Sequence, residues 1–101
     1  MSAAPLGIAG AGRMGRGIAL AFAWGGYEVA LIDLKPRDAT ASERLQREAM
    51  DEMASSLAML AELGAMTDEA AERVLSRIRV VPETHAAQAL AEADVVFESG
   101  K

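Results

Sequence analysis

Leu6-Gly7-Ile8-Ala9-Gly10-Ala11-Gly12-Arg13-Met14-Gly15 is the stretch from which the rest of the chain can be placed. Its first half is apolar, as a strand buried on both faces of a parallel sheet must be. Its second half spaces three glycines as G-x-G-x-x-G. Met14, Ile18, Ala21, Phe22 and Gly25 then recur at helical spacing, which predicts a helix over 14–24 with one apolar face. Gly25-Gly26 stops it, because glycine accepts the left-handed backbone of a helix end. Tyr27 to Ile32 suits a strand and ends on Asp33. Strand, glycine turn, helix, glycine turn, strand is a βαβ unit of about thirty residues.

The three glycines have different tasks. Gly10 lets the chain turn sharply out of the strand, Gly12 leaves no side chain between the main chain and a diphosphate, and Gly15 lets the helix close on the strands. The helix N-terminus offers unpaired N–H groups and a partial positive charge. Gly10, Ala11, Gly12, Arg13, Met14 and Gly15 are therefore the candidate phosphate-binding residues. Asp33, about twenty positions further on, stands where a carboxylate accepts both hydroxyls of an adenosine ribose, with Leu34 beside it. That carboxylate repels a 2′-phosphate, which points to NAD rather than NADP as the cofactor. Lys35 and Arg37 pull the other way, since each can reach a phosphate. A glycine-rich turn beside an acid that binds nothing is the plain alternative, and the register of strand, turn, helix, strand and acid argues against it.

Beyond Asp33 the composition turns helical. Pro36 can open a helix at its first turn, and Thr40-Ala41-Ser42-Glu43 matches a capping box that would start one slightly later. Glu43 to Leu63 is dense in good helix formers. Leu45, Ala49, Met53, Ser56, Leu57 and Leu60 form its apolar stripe, and Gly64 ends it. Thr67 caps a second helix running through Leu75, with Asp68 and Glu69 at the positive end of its dipole and Arg73 and Arg77 at the negative end. Ile78 to Val81, closed by Pro82, reads as a third strand. Thr84 is placed to cap a short helix over 85–92, and Asp94 to Phe97 reads as a fourth strand. The expected fold is α/β, a Rossmann-type doubly wound parallel sheet in the order 3-2-1-4. A helical hairpin lies between strands two and three, and strand four is left as an edge. The first helix and the first helix of the hairpin should cover one face of the sheet and the short helix the other.

Composition narrows the chemistry. The chain has 101 residues, ten Lys and Arg against fifteen Asp and Glu, a net charge of −5, no cysteine and one histidine. An acidic surface disfavours nucleic acid and anionic membrane as partners. Disulfides and thiolate metal sites are excluded, and a histidine-based metal site is disfavoured. No apolar run reaches the roughly 18–20 residues of a membrane span, and the start lacks the pattern of a signal peptide. The expectation is a cytoplasmic domain without metal. His85, at a helix start with no carboxylate fixed beside it in sequence, reads as a surface or capping residue rather than a base. Arg13 and Arg16 flank the phosphate turn, Trp24 reads as packing, and Glu98 borders the crevice where the strand order reverses.

Ile8 to Ala19, Gly26 to Asp33, Leu63 to Ala70 with Val74 to Ile78, and Ala93 to Glu98 together resemble the N-terminal domain of the L-3-hydroxyacyl-CoA dehydrogenases. That family shows G-x-G-x-M-G-x-G-I-A, then G-x-x-V-x-L-x-D, a helical hairpin, and A-D-x-V-x-E. The resemblance implies oxidation of the 3-hydroxyl of an acyl-CoA substrate to a ketone, with hydride passing to NAD. It places the catalytic His and Glu, a helical dimerisation and substrate domain, and hence a homodimer, beyond Lys101. Residues 1–101 are then an incomplete dinucleotide-binding domain with no catalytic residue and no turnover of its own. The chain departs from the family after strand four, reading Glu98-Ser-Gly-Lys101 where the family has E-A-V-P-E. A β-hydroxyacid dehydrogenase shares the glycine turn but joins strands two and three by a shorter connection. A gulonate-type dehydrogenase, a crystallin-like structural protein and a non-catalytic NAD-binding module stay open.

Overall fold

The computed structural model describes residues 4–99. Strand β1 (Leu6–Ala9) leads through the glycine turn into α1 (Arg13–Trp24) and then β2 (Val29–Ile32). The hairpin follows as α2 (Ala39–Glu62) and α3 (Asp68–Ser76), returning the chain to β3 (Ile78–Val81). One 3-10 turn, Glu83–His85, opens α4 (Ala86–Glu92), and β4 (Val95–Glu98) closes the sheet. The four strands are parallel in the order β3-β2-β1-β4, as the βαβ pattern predicts. This is a Rossmann-type α/β fold.

Register sets what the C-terminal edge of the sheet can present. Ala9 is level with Ile32 on one side and Glu98 on the other, and Ile32 is level with Val81. Ladder bonding continues one residue past the strands: Gly10 N–H donates to Ile32 O at 2.8 Å, Asp33 N–H to Val81 O at 2.9 Å, and Ser99 N–H to Ala9 O at 3.1 Å. Gly10, Asp33 and Ser99 are thereby held side by side at one rim.

β2 is buried throughout, and its alternation divides the core in two. Val29 and Leu31 join Ile8 and Ile78 beneath α1, α2 and α3, while Ala30 and Ile32 join Val81 beneath Ala86, Ala89 and Leu90 of α4. The expected covering of the two faces is what the molecule shows. The hairpin stripe is present as Leu45, Ala49, Met53 and Leu57, all buried, with Ser56 and Leu60 half-buried. Arg77 closes the hairpin onto α1, its Nη1 donating to Ala23 O at 2.8 Å, where a cation meets the negative end of the helix dipole.

Several local expectations are corrected. The buried face of α1 is Gly15, Ala19 and Ala23, not the stripe beginning at Met14, which is 65% exposed. Small residues are needed there because this helix lies too close to the strands for bulkier ones. α1 starts at Arg13 with Gly12 as N-cap. α2 starts before the predicted capping box: Asp38 is the N-cap and its Oδ1 accepts the Ala41 N–H at 2.7 Å, which leaves Thr40 inside the helix. An aspartate in extended backbone captures the same orphan donors one turn earlier. α4 has no cap from Thr84, whose Oγ1 instead lies 3.3 Å from Nδ1 of His85. Pro82 opens the connection as a 3-10 turn, so Thr84 lies within that turn rather than ahead of the helix. β2 begins at Val29 and β4 at Val95, each later than the sequence pattern suggests. Trp24, read as packing, is 49% exposed. β4 is the expected open edge, with Val95, Val96 and Phe97 partly exposed and Phe97 stacked on Phe22 at a ring separation of 4.8 Å.

Candidate cofactor site at the C-terminal edge of the sheet

The site begins with the backbone of the turn. Gly10 has φ +110°, a conformation that side chains disfavour, and a Cβ on it would meet the Ser99 hydroxyl. A Cβ on Gly15 would land on the Gly10 carbonyl oxygen, so the first turn of α1 lies directly against the end of β1. A Cβ on Gly12 would meet nothing within 4 Å. The missing side chain there keeps open a space that a ligand can fill, not one the protein fills.

Gly12 also leaves the N-terminus of α1 without a side-chain cap, and no acidic residue stands in its first turn. The exposed main-chain donors carry the positive end of the dipole and suit an anion. They face no competing carboxylate of their own helix.

A cavity of about 690 Å³ opens at this point, within the range usual for small-molecule sites. Ala9, Gly10, Ala11, Gly12 and Arg16 line its turn side, with Glu98 beside them on β4. Asp33, Leu34, Lys35 and Arg37 line it at the end of β2, and Leu45 of α2 adds an apolar surface. The structure therefore brings Gly10, Ala11, Gly12, Asp33 and Leu34 to one cavity, together with Glu98. Arg13 and Met14 are exposed on the first turn of α1 and, like the buried Gly15 behind the turn, are not among the lining residues. His85 is exposed beside α4 and does not line the cavity either.

Asp33 is only 3% exposed. Its Oδ1 accepts the Lys35 main-chain N–H at 3.2 Å and its Oδ2 accepts Arg37 Nε at 2.6 Å. Arg16 is the corresponding tie on the turn side: Nε donates to Ala11 O at 3.0 Å and Nη1 pairs with Glu52 of α2. In a planar trans peptide, fixing the Ala11 carbonyl also fixes the direction of the Gly12 N–H.

Three of these features escape a reading of the sequence. An Asp and an Arg four apart hint at the Asp33–Arg37 pair, but only weakly outside a helix. Arg16 to Glu52 spans the hairpin and leaves no local signal. Ser99 is buried, and its Oγ donates to Ala9 O at 3.0 Å with Gly10 O a further 3.3 Å contact. The hydroxyl thus braces the turn from below. Its only trace in sequence is the departure from the family pattern after Glu98.

Among the described residues no cluster of His, Cys, Asp and Glu could hold a metal, and no helix is long and apolar enough to cross a membrane. An open glycine cradle, a bare helix N-terminus and a buried acid at the neighbouring strand end fit an adenine dinucleotide.

Comparison with known proteins agrees. Residues 5–100 match the family described as 3-hydroxyacyl-CoA dehydrogenase, NAD binding domain. The chain is 32% identical to a 3-hydroxybutyryl-CoA dehydrogenase of Escherichia coli, with a TM-score of 0.73, over 97% of this chain and 19% of that one. It is 31% identical to (S)-3-hydroxybutyryl-CoA dehydrogenase PaaH1 of Ralstonia eutropha, with a TM-score of 0.78, over 99% of this chain and 32% of that one. FadB2 of M. tuberculosis, 24% identical with a TM-score of 0.79 over 100% of this chain and 32% of that one, shares the fold. No curated protein matches the chain. The chain thus spans between 19% and 32% of the length of these solved relatives. With the glycine turn, the hairpin and the strand order all in agreement, the chain belongs to the NAD-binding domain family of the 3-hydroxyacyl-CoA dehydrogenases, whose cofactor is NAD.

Proposed function

We propose that this chain holds the adenosine and diphosphate half of NAD in an enzyme that oxidises the 3-hydroxyl of a 3-hydroxyacyl-CoA to the 3-ketone. The observation that carries this reading is the uncapped N-terminus of α1, opening into the same cavity as the buried acid at the end of β2. NAD, when bound, supplies the acceptor for the hydride that leaves the hydroxyl carbon. Of Gly10, Ala11, Gly12, Arg13, Met14 and Gly15, those from Gly12 onward offer the main-chain N–H groups at the bare start of α1 to the diphosphate, and Gly12 permits the closest approach. Gly10, its N–H held by Ile32 O, shapes the turn. Asp33 accepts from the adenosine ribose, and Leu34 and Leu45 offer apolar surface to the rest of the nucleoside. Arg16 and Ser99 hold the turn in shape from its two sides.

The chain's own residues bind and orient. His85 does not line the cavity, and the resemblance to the family assigns the base to sequence outside these 101 residues. The acyl-CoA pocket and the homodimer contact belong there too. The names of the solved relatives support an acyl-CoA substrate. The cysteine-free, acidic composition supports work in the cytoplasm. Calorimetric titration of NADH into the chain tests the binding half: saturable binding that is lost in Gly12→Asp is expected, and no binding overturns it. With NAD and a 3-hydroxyacyl-CoA, the 101-residue chain alone should form no NADH. Steady NADH formation would show that the catalytic groups lie within it.

A further inference from the structure

The acid that would grip the ribose is not free. Asp33 Oδ2 accepts from Arg37 Nε at 2.6 Å, Oδ1 accepts from the Lys35 N–H at 3.2 Å, and Arg37 Nη2 stands 3.5 Å from Oδ1. A carboxylate offers roughly four acceptor positions, so a ribose diol meets an acid already largely engaged. The arginine is the accessible member, its side chain 27% exposed against 5% for Asp33. Lys35 and Arg37 line the large cavity and also a second one of about 290 Å³, where Ser42 and Thr84 join them. Both cations therefore stand on the wall common to the two spaces.

This changes the charge that a ribose substituent meets. A bare carboxylate rejects a phosphate by like-charge repulsion. Asp33 paired with Arg37 is neutral, and Lys35 makes the group net positive. The guanidinium has five donors in a planar fork and engages Asp33 through Nε and, at longer range, Nη2, which leaves the Nη1 donors to face a phosphate oxygen. We propose that Arg37, backed by Lys35, is a specificity-determining residue that lets this site accept an adenosine ribose carrying a 2′-phosphate as well as the plain diol. The inference rests on the dinucleotide reading given above and extends it to the choice between NAD and NADP. Glu43 and Glu83 also line the second cavity and oppose an anion there, so the outcome is tolerance of the phosphate, not preference for it.

Calorimetric titration of NADH and NADPH into the chain and its Arg37→Gln and Lys35→Gln variants tests this. NADPH should bind the parent chain within about tenfold of NADH, and Arg37→Gln should weaken NADPH by about ten- to a hundredfold while NADH is held or improved. An unchanged NADPH to NADH ratio in Arg37→Gln overturns the proposal, as does equal weakening of both ligands. Should Arg37→Gln bind neither, Lys35→Gln decides: selective weakening of NADPH supports the proposal, and an unchanged ratio overturns it. Failure of the parent chain to bind NADH overturns the dinucleotide reading and this inference with it. Intact NADH binding with an unchanged ratio overturns this inference alone.

Discussion

Helices α1, α2 and α3 begin in two different ways. Asp38 caps α2 through the Ala41 N–H at 2.7 Å, and Thr67 caps α3 through the Ala70 N–H at 3.0 Å. α3 adds Asp68 and Glu69 in its first turn, so its orphan donors and its dipole are both answered within the chain. α1 has Gly12 in the same position, with the same extended backbone, no side-chain cap and no acid. Its donors are left for something else. Intrinsic stability slightly favours the α2 and α3 arrangement, whereas the α1 arrangement leaves its donors open to an anion.

The contrast can be broken most strongly by giving α1 the cap it lacks. Gly12→Asp should weaken NADH binding by more than about a hundredfold, since a carboxylate would occupy the donors and repel the diphosphate. Thermal melts of the same variant should show stability changed by no more than a few tenths of a kcal/mol, because glycine is itself a tolerable N-cap. A large loss of stability with binding retained would reverse the assignment. Gly15→Val tests the packing that carries the bare terminus to the sheet edge. With its Cβ directed at the Gly10 carbonyl, it should cost about 1–3 kcal/mol or more in chemical denaturation, as overpacking does. Thr67→Ala removes the cap of α3 and should cost about 1 kcal/mol while leaving NADH affinity as it was. The smallest effect is expected from Glu52→Gln, which weakens the exposed end of the Arg16 tie. Stability should change by less than about 1 kcal/mol, with a few-fold loss of NADH affinity by calorimetry as Arg16 holds Ala11 less firmly.

Legibility in the sequence follows the same divide. Features set by local pattern were readable: the glycine turn, the alternation of strand and helix, the Thr67 cap, and the stripe through Leu45, Ala49, Met53 and Leu57. The strand order followed from chain connectivity and handedness. Features set by contact between distant segments were not. Ile18 and Phe22 advertise one face of α1, yet the helix buries Gly15, Ala19 and Ala23, because closeness to the sheet outweighs the hydrophobicity of larger side chains. Asp33 was legible as an acid at a strand end, but not as half of an ion pair. Thr40 and Glu43 match a capping box in sequence, yet Asp38 provides the cap. In each case two local rules competed, and three-dimensional packing chose between them.

The pairing of β1 with β4 has a consequence for how the chain acquires its shape. Ser99 reaches back to Ala9 across 90 positions of sequence, and Arg77 reaches Ala23 across 54. Closing such spans costs chain entropy before any contact repays it. The hairpin, whose contacts are short-range, is expected to organise early and the rim of the sheet late. The anion cradle is then among the last parts of the molecule to become native, and a bound dinucleotide would tether the segments that assemble most slowly.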